Sequence, residues 1–246
     1  MKEIITIISR KGGTGKTTTA QAIADGIRRA GFSVLLIDLD SQYNLTKAMG
    51  ADPGGLNSTD LFNIRVKPAR LIQHTENGDI IAGSKALAAG DIMLTDNDQL
   101  KAALKPFIKQ YDYIIIDTPA SYGRLTMNTL NAATMAIITT EPASFSADGL
   151  ADLAEIIKQI RRTNKKLHLR GIIITRCDAR SNDVKQTIAE IKEAAAKMKT
   201  EVLEPPIRAT IKVQRAQRAH KNLSDFDEHA TAAEDYKQIV NVLLNQ

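Results

Sequence analysis

Short, almost unbroken apolar runs recur along the chain at 4–8, 34–37, 80–81, 113–116, 136–139 and 172–175. A strand with one wet face alternates apolar and polar residues. These runs do not, so they predict strands covered on both faces, as in a parallel sheet. Between them the apolar spacing changes to three and four. Residues 18–30 carry Ala20, Ile23, Ala24 and Ile27, and Gly31 follows as a stop. Residues 150–160 carry Leu150, Leu153, Ile156, Ile157 and Ile160; residues 184–198 carry Ile188, Ile191, Ala195 and Met198. Alternating strands and helices imply right-handed βαβ units. The expected class is α/β, a doubly wound and mostly parallel sheet with helices on both faces. The segment 51–77 is the least regular and is expected to form loops with one short helix. With no repeat and no linker, residues 1–246 are expected to form a single domain.

Composition narrows the classes. At 43% apolar and 25% charged residues the chain is ordinary globular material, neither disordered nor fibrous. Its one cysteine, Cys177, rules out an internal disulfide or a Cys/His zinc framework. His74, His168, His220 and His229 form no ligand-spaced cluster. The apolar runs fall far short of the ~20 residues of a membrane helix. The opening MKEIITIIS is too short for a signal peptide, so a cytoplasmic protein is expected.

The net charge is +5, but it is unevenly spread. Residues 1–157 carry 15 basic and 17 acidic side chains, residues 158–221 carry 17 and 6, and residues 222–246 carry 1 and 5. The excess of +11 in 158–221 reads either as solvated helix faces, as at Lys192, Lys197 and Lys199, or as a surface for a polyanion.

After the first apolar run comes SRKGGTGKTTTA, residues 9–20. A strand, a glycine-rich turn and a helix opening on Lys-Thr make the layout of a phosphate cradle. Backbone N–H groups point inward, and the helix N-terminus adds positive potential. Gly12, Gly13 and Gly15 permit the backbone angles and the close approach that this needs. In such a loop Lys16 reaches the β- and γ-phosphates and Thr17 ligates Mg²⁺. Against the pattern G-x-x-x-x-G-K-[ST], position 10 is Arg10 rather than glycine, and a second lysine, Lys11, opens the loop. Asp117 closes the apolar run 114–116, where a carboxylate faces the crevice at the ends of parallel strands. It can hold Mg²⁺ there or cap a following helix. Asp38 and Asp40 close the second run at the same edge.

A loop with a lysine at position 11 resembles the deviant Walker A family that contains ParA-type partition ATPases and MinD. VLLIDLDSQYNLT (34–46) is similar to the segment that usually ends D-P-Q-G-N-x-T, with Ser41 and Tyr43 in place of Pro and Gly. YDYIIIDTPAS (111–121) resembles the family's Walker B, GIIITRCDAR (171–180) its T-x-x-D-x-R loop, and YKQIVNVLL (236–244) its last helix. The resemblance covers most of the chain. It implies a P-loop ATPase that binds ATP and Mg²⁺, with a nucleotide cradle of Lys11, Gly12, Gly13, Thr14, Gly15, Lys16, Thr17 and Thr18. It implies that Asp40 positions the attacking water and that Asp38 supports the metal shell of Thr17 and Asp117. Asp38 pairing instead with Lys16 or a backbone N–H stays open. Lys11 is implied to cross a dimer interface to the partner's nucleotide and act on the phosphoryl group in transfer, as an arginine finger does. Catalysis thus falls to Lys11, Lys16 and Asp40. The base is expected near Arg176, Asp178 or 205–207.

ParA proteins of this size lack an N-terminal helix-turn-helix domain and bind duplex DNA without sequence preference as ATP dimers. The residues expected to meet DNA are Arg180, Arg208, Lys212, Arg215, Arg218 and Lys221. Arg180 matches the T-x-x-D-x-R arginine, and Arg208 lies one residue out of register with the usual I-P-R. If helical, the last four cations share one half of a surface while Val213 and Ala216 face inward. The implied partners are a second copy of the chain, nucleoid DNA and a ParB-like adaptor that stimulates hydrolysis. A MinD-like membrane-cycling ATPase is the alternative. Its basic amphipathic tail is missing from residues 222–246, where Lys237 stands alone against five acidic residues, so no membrane contact is expected.

Overall fold

The computed structural model describes residues 3–89, 94–121, 123–178 and 180–245. Eight strands form one sheet: β1 (Glu3–Ile8), β2 (Val34–Asp38), β3 (Ile72–Thr75), β4 (Gly78–Ile81), β5 (Tyr113–Asp117), β6 (Met135–Thr140), β7 (His168–Ile174) and β8 (Val202–Leu203). They lie in the order β3-β4-β2-β5-β1-β6-β7-β8. Neighbours run parallel except β3, which pairs antiparallel with β4 at the edge. The helices are α1 (Lys16–Arg29), α2 (Asn44–Met49), α3 (Gln99–Ile108), α4 (Arg124–Ala132), α5 (Ala147–Thr163), α6 (Asn182–Lys197), α7 (Ile211–Arg218), α8 (Leu223–Phe226) and α9 (Thr231–Leu244).

The unbroken apolar runs are strands that serve two cores at once. Ile4 and Ile8 of β1 and Ile114 and Ile116 of β5 join one core, with Leu100, Phe107, Leu130, Leu153 and Ile157 from α3, α4 and α5. Ile5, Ile7 and Ile115 point the other way, onto Ile23 and Ile27 of α1 and Ile239 of α9. Every position of such a strand removes apolar surface from water, worth ~2–3 kcal/mol for each isoleucine relative to exposure. On the second face α1 and α9 pack closely: a Cβ on Gly26 would meet Val240 Cγ2 at 2.6 Å, so a side chain there would force the helices apart.

Helices α1, α5 and α6 contain the periodic segments, with Ile191 and Ala195 the buried residues of α6. Residues 51–77 depart from expectation. They hold two short 3₁₀ turns, Ser58–Phe62 and Pro68–Leu71, and then the edge strand β3. An edge strand has one neighbour and little burial, so IQHT lacks the apolar signature of the inner strands.

Candidate functional site

The sheet's carboxyl edge carries the site. β1 ends in the glycine-rich loop, and α1 begins at Gly15, whose φ of 80° is left-handed. A Cβ at Gly15 would sit 3.2 Å from Thr175 Cγ2, so glycine is needed both for the angle and for the room. No side chain caps α1 and no acidic residue occupies its first turn. Its first N–H groups and its positive dipole end are therefore left for an anion. The loop is tied down from behind. Thr175 Oγ1 donates to the Thr14 carbonyl at 2.9 Å, and the Thr14 and Thr139 hydroxyls share a 3.1 Å bond.

Lys16 is buried, and its ammonium donates to Ser9 Oγ at 3.1 Å. Burial pulls its pKa down, against the carboxylates of Asp117 and Asp40. Thr17 Oγ1 donates to Asp117 Oδ2 at 2.7 Å, while Asp117 Oδ1 is buried with no hydrogen-bond partner. Burial first, and the charge of Asp38 second, raise the Asp117 pKa. A buried orphan carboxylate oxygen beside a hydroxyl fits a divalent cation, which would take up the missing interaction and favour the ionised form.

Asp38 lies directly beside Asp117 in the β2–β5 register, but both its oxygens are committed. Oδ1 accepts the Asp40 N–H at 3.0 Å; Oδ2 accepts the Thr46 N–H at 2.9 Å and its hydroxyl at 2.7 Å. Burial raises its pKa too, although these bonds oppose the rise. Of the two uses open to Asp38 from sequence, the ligand-free structure has the backbone one: Asp38 holds the loop that leads to Asp40. Asp40 follows the end of β2, half-buried at the mouth, with Oδ1 accepting the Gln42 N–H at 2.9 Å.

These groups open into a cleft of about 1000 Å³ lined by Gly12, Gly13, Gly15, Lys16, Thr17, Thr18 and Asp40 on one side. Arg176, Ile207, Arg208, Gln217, Arg218 and Tyr236 line the other. Asp178, a candidate for the base, is not part of this wall; it is paired with Arg180. Lys11 does not line the cleft either. Its ammonium donates to the Ser144 carbonyl at 2.9 Å, in the turn after β6.

The six cations assigned to a polyanion do not form one even surface, which corrects the sequence reading. Arg180 pairs with Asp178 at 2.5 Å. Arg208 pairs with Glu234 and with the buried Asp235 at 2.8 Å, and Lys212 pairs with Asp227. Arg215, Arg218 and Lys221 are exposed, and α7 ends at Arg218, so Lys221 lies off the helix. Ala216 faces inward as expected and Val213 is half-buried.

Sequence reasoning missed several residues of the site. Ser9, Thr46, Thr175 and Gln217, which donates to Thr18 Oγ1 at 3.1 Å, act through hydroxyls and an amide that carry no local signature. Thr46 was readable, since it closes the quoted segment 34–46.

Comparisons with known proteins agree with this geometry. A family model described as an AAA domain matches residues 2–169. The sporulation initiation inhibitor protein Soj of Bacillus subtilis is 31% identical over 96% of this chain and 96% of its own. The chromosome partitioning protein ParA of Myxococcus xanthus is 33% identical over 82% of this chain and 75% of its own. Among solved structures, cobyrinic acid a,c-diamide synthase from Mycobacterium smegmatis, with bound ADP and magnesium, superposes with a TM-score of 0.86. It is 28% identical, covering 100% of this chain and 95% of that one. The glycine-rich loop, the Thr17–Asp117 pair and the sheet order are thus those of its relatives, and the chain belongs to the ParA/MinD family of P-loop ATPases.

Proposed function

We propose that the chain is an ATP-dependent DNA-partition ATPase. ATP with Mg²⁺ enters the carboxyl-edge cleft, two copies close over their nucleotides, and the closed dimer holds duplex DNA on the nucleoid. Slow hydrolysis, speeded by a ParB-like adaptor, returns the chain to the free state.

The observation that carries this reading is Lys11. Lys16 already stands in the chain's own cradle, whereas the Lys11 ammonium lies outside it, on a carbonyl. A cation in the phosphate loop that does not serve its own cleft is free to serve a facing one, where it would stabilise charge on the phosphoryl group in transfer. Within one copy, Lys16 holds the β- and γ-phosphates, and the free N–H groups of α1 bind their oxygens. Asp40 orients the water that attacks the γ-phosphorus and accepts its proton. Magnesium held by Thr17 and Asp117 would supply positive charge to the β- and γ-phosphate oxygens.

The relatives named Soj and ParA support the partition side of the family. The last helix speaks against membrane cycling. Ala232, Tyr236, Ile239, Val240 and Leu243 of α9 are buried in the core shared with α1. Its apolar face is thus not available to lipid. No helix among the described residues is long and apolar enough to cross a membrane.

Sedimentation velocity tests the reading. With ATP the wild-type chain is expected to dimerise, and Lys11→Ala to bind ATP yet stay monomeric. An ATP dimer that survives Lys11→Ala would remove the trans role. DNA retention by the ATP form should fall steeply with salt, since phosphate contacts release counterions. Retention unchanged from low to moderate salt would rule out phosphate-driven binding.

A further inference from the structure

The basic excess of residues 158–221 does not stay together in the fold. Part of it lies with Arg215 and Arg218 near the cleft; the rest gathers at the opposite end of the sheet, where the strands begin. A cavity of about 520 Å³ opens there, with Lys101, Lys165 and Lys166 around a floor of Ile4, Ile108 and Ile114. Lys105 stands one turn after Lys101 on the same face of α3, and Arg162 lies in the last turn of α5. All five cations are exposed, and none has a carboxylate partner among the described residues. The two carboxylates at the rim are engaged. Glu3 accepts from the Thr134 hydroxyl, and Asp112 accepts from the Ser33 hydroxyl and N–H at 2.6 and 3.0 Å.

Compensation of helix dipoles explains cations at helix C-termini such as Arg162. It does not explain Lys101, which sits in the first turn of α3, where a cation is disfavoured. Three ammonium groups around one opening repel each other unless an anion bridges them. The lining also says which anion. Its apolar floor is recessed, so nothing projects to enter a lipid surface. Its one aromatic side chain, Tyr111, is buried and donates to Asp79, so no ring is free to stack on unpaired bases.

We propose that this edge is a second contact surface for the phosphates of duplex DNA, one that works without nucleotide. It lies a strand length, roughly 20 Å, from the phosphate loop. The proposal rests on the reading that DNA is the polyanion. The surface acts in either nucleotide state, so a released copy would stay loosely on DNA rather than diffuse away.

The test is fluorescence anisotropy of a short labelled duplex, titrated with nucleotide-free and ATP-bound protein over a range of salt. The wild-type chain is expected to bind without nucleotide at low salt. The triple variant K101E/K165E/K166E should lose at least about tenfold of that affinity, with a salt slope shallower by about three. The triple K101Q/K165Q/K166Q is a milder control for folding, checked by circular dichroism and ATP binding, and should lose part of the affinity. Nucleotide-free binding that is absent in wild type, or unchanged in both triples, overturns the proposal. Binding to phosphatidylserine vesicles in preference to duplex overturns it as well. If ATP-dependent binding persists while the triples have no effect, the surface fails and the partition reading stands. If the triples abolish nucleotide-free binding and ATP adds none, the surface stands and the partition cycle fails.

Discussion

The sheet gathers charge at both ends and treats it in opposite ways. At the carboxyl edge Lys16, Asp38 and Asp117 are buried, and burial is the largest cause of each pKa shift. At the amino edge Lys101, Lys165 and Lys166 stand in water with no carboxylate partner. The first arrangement suits chemistry. A charge removed from water exerts a stronger field and waits for one small partner of opposite sign. The second suits a large, weakly held polyanion, where each contact contributes little and salt competes. A single substitution should therefore be severe at one edge, whereas several are needed at the other.

The largest expected effect is at Asp40. Asp40→Ala should slow ATP hydrolysis about 10²–10⁴-fold while ATP binding survives, as loss of a general base does. Phosphate release and a binding titration measure the two. A variant that still turns over at wild-type rate would make Asp40 a bystander.

Stability separates two arginines that sequence placed together. Arg208 neutralises Asp235, which is 2% exposed, and takes four hydrogen bonds to its carboxylate, one of them from its own N–H. Arg208→Ala leaves a buried carboxylate unpaired and should lower Tm by several degrees. Arg180 pairs with an exposed Asp178 two residues away, so Arg180→Ala should leave Tm unchanged. Equal melting curves for the two variants would break the distinction.

The third prediction concerns pH. Burial raises the Asp117 pKa, so the folded ligand-free chain holds a proton there that the unfolded chain gives up. Stability from this group is full below about pH 4 and is lost as pH rises through the raised value. Asp117→Asn stays neutral throughout. It should therefore melt higher than wild type near pH 8, by about 2–4 °C for each kcal/mol, with the gap closing toward pH 4. It should also lose hydrolysis. A constant gap across that range would remove the buried-charge account.

The smallest effect lies in the loop that Asp38 supports. Tyr43 has φ 43°, the left-handed region that favours glycine, and Lys47 lies 4.0 Å over its ring. Tyr43→Gly relieves backbone strain and forfeits the cation–π contact, two effects of about 1 kcal/mol that oppose each other. Denaturant midpoints within about 1 kcal/mol of wild type are expected.

Much of this was readable before the fold. The inner strands announced themselves because a strand buried on both faces must be apolar at every position. The phosphate loop did so because its chemistry is local, one run of residues closing on one helix end. Helix α4 stayed hidden for the converse reason. Its buried positions include Thr126, Asn128 and Thr129, polar residues satisfied by hydrogen bonds, as when Asn128 Oδ1 accepts the Leu100 N–H at 3.1 Å. Their type says nothing about burial until the partner is known.

The sequence by itself determined the strand and helix pattern, the cradle from Lys11 to Thr18 and the family. All of these depend on neighbours a few residues apart. Tertiary structure alone decided which carboxylate keeps an unpartnered oxygen and which cations are already paired. It also decided that one basic stretch is divided between opposite edges of the sheet. Those outcomes turn on contacts such as Asp38 with Thr46, Arg208 with Asp235, and Lys101 with Lys166 across one opening. Charge acts through space and through the burial around it, and neither is written in the order of residues.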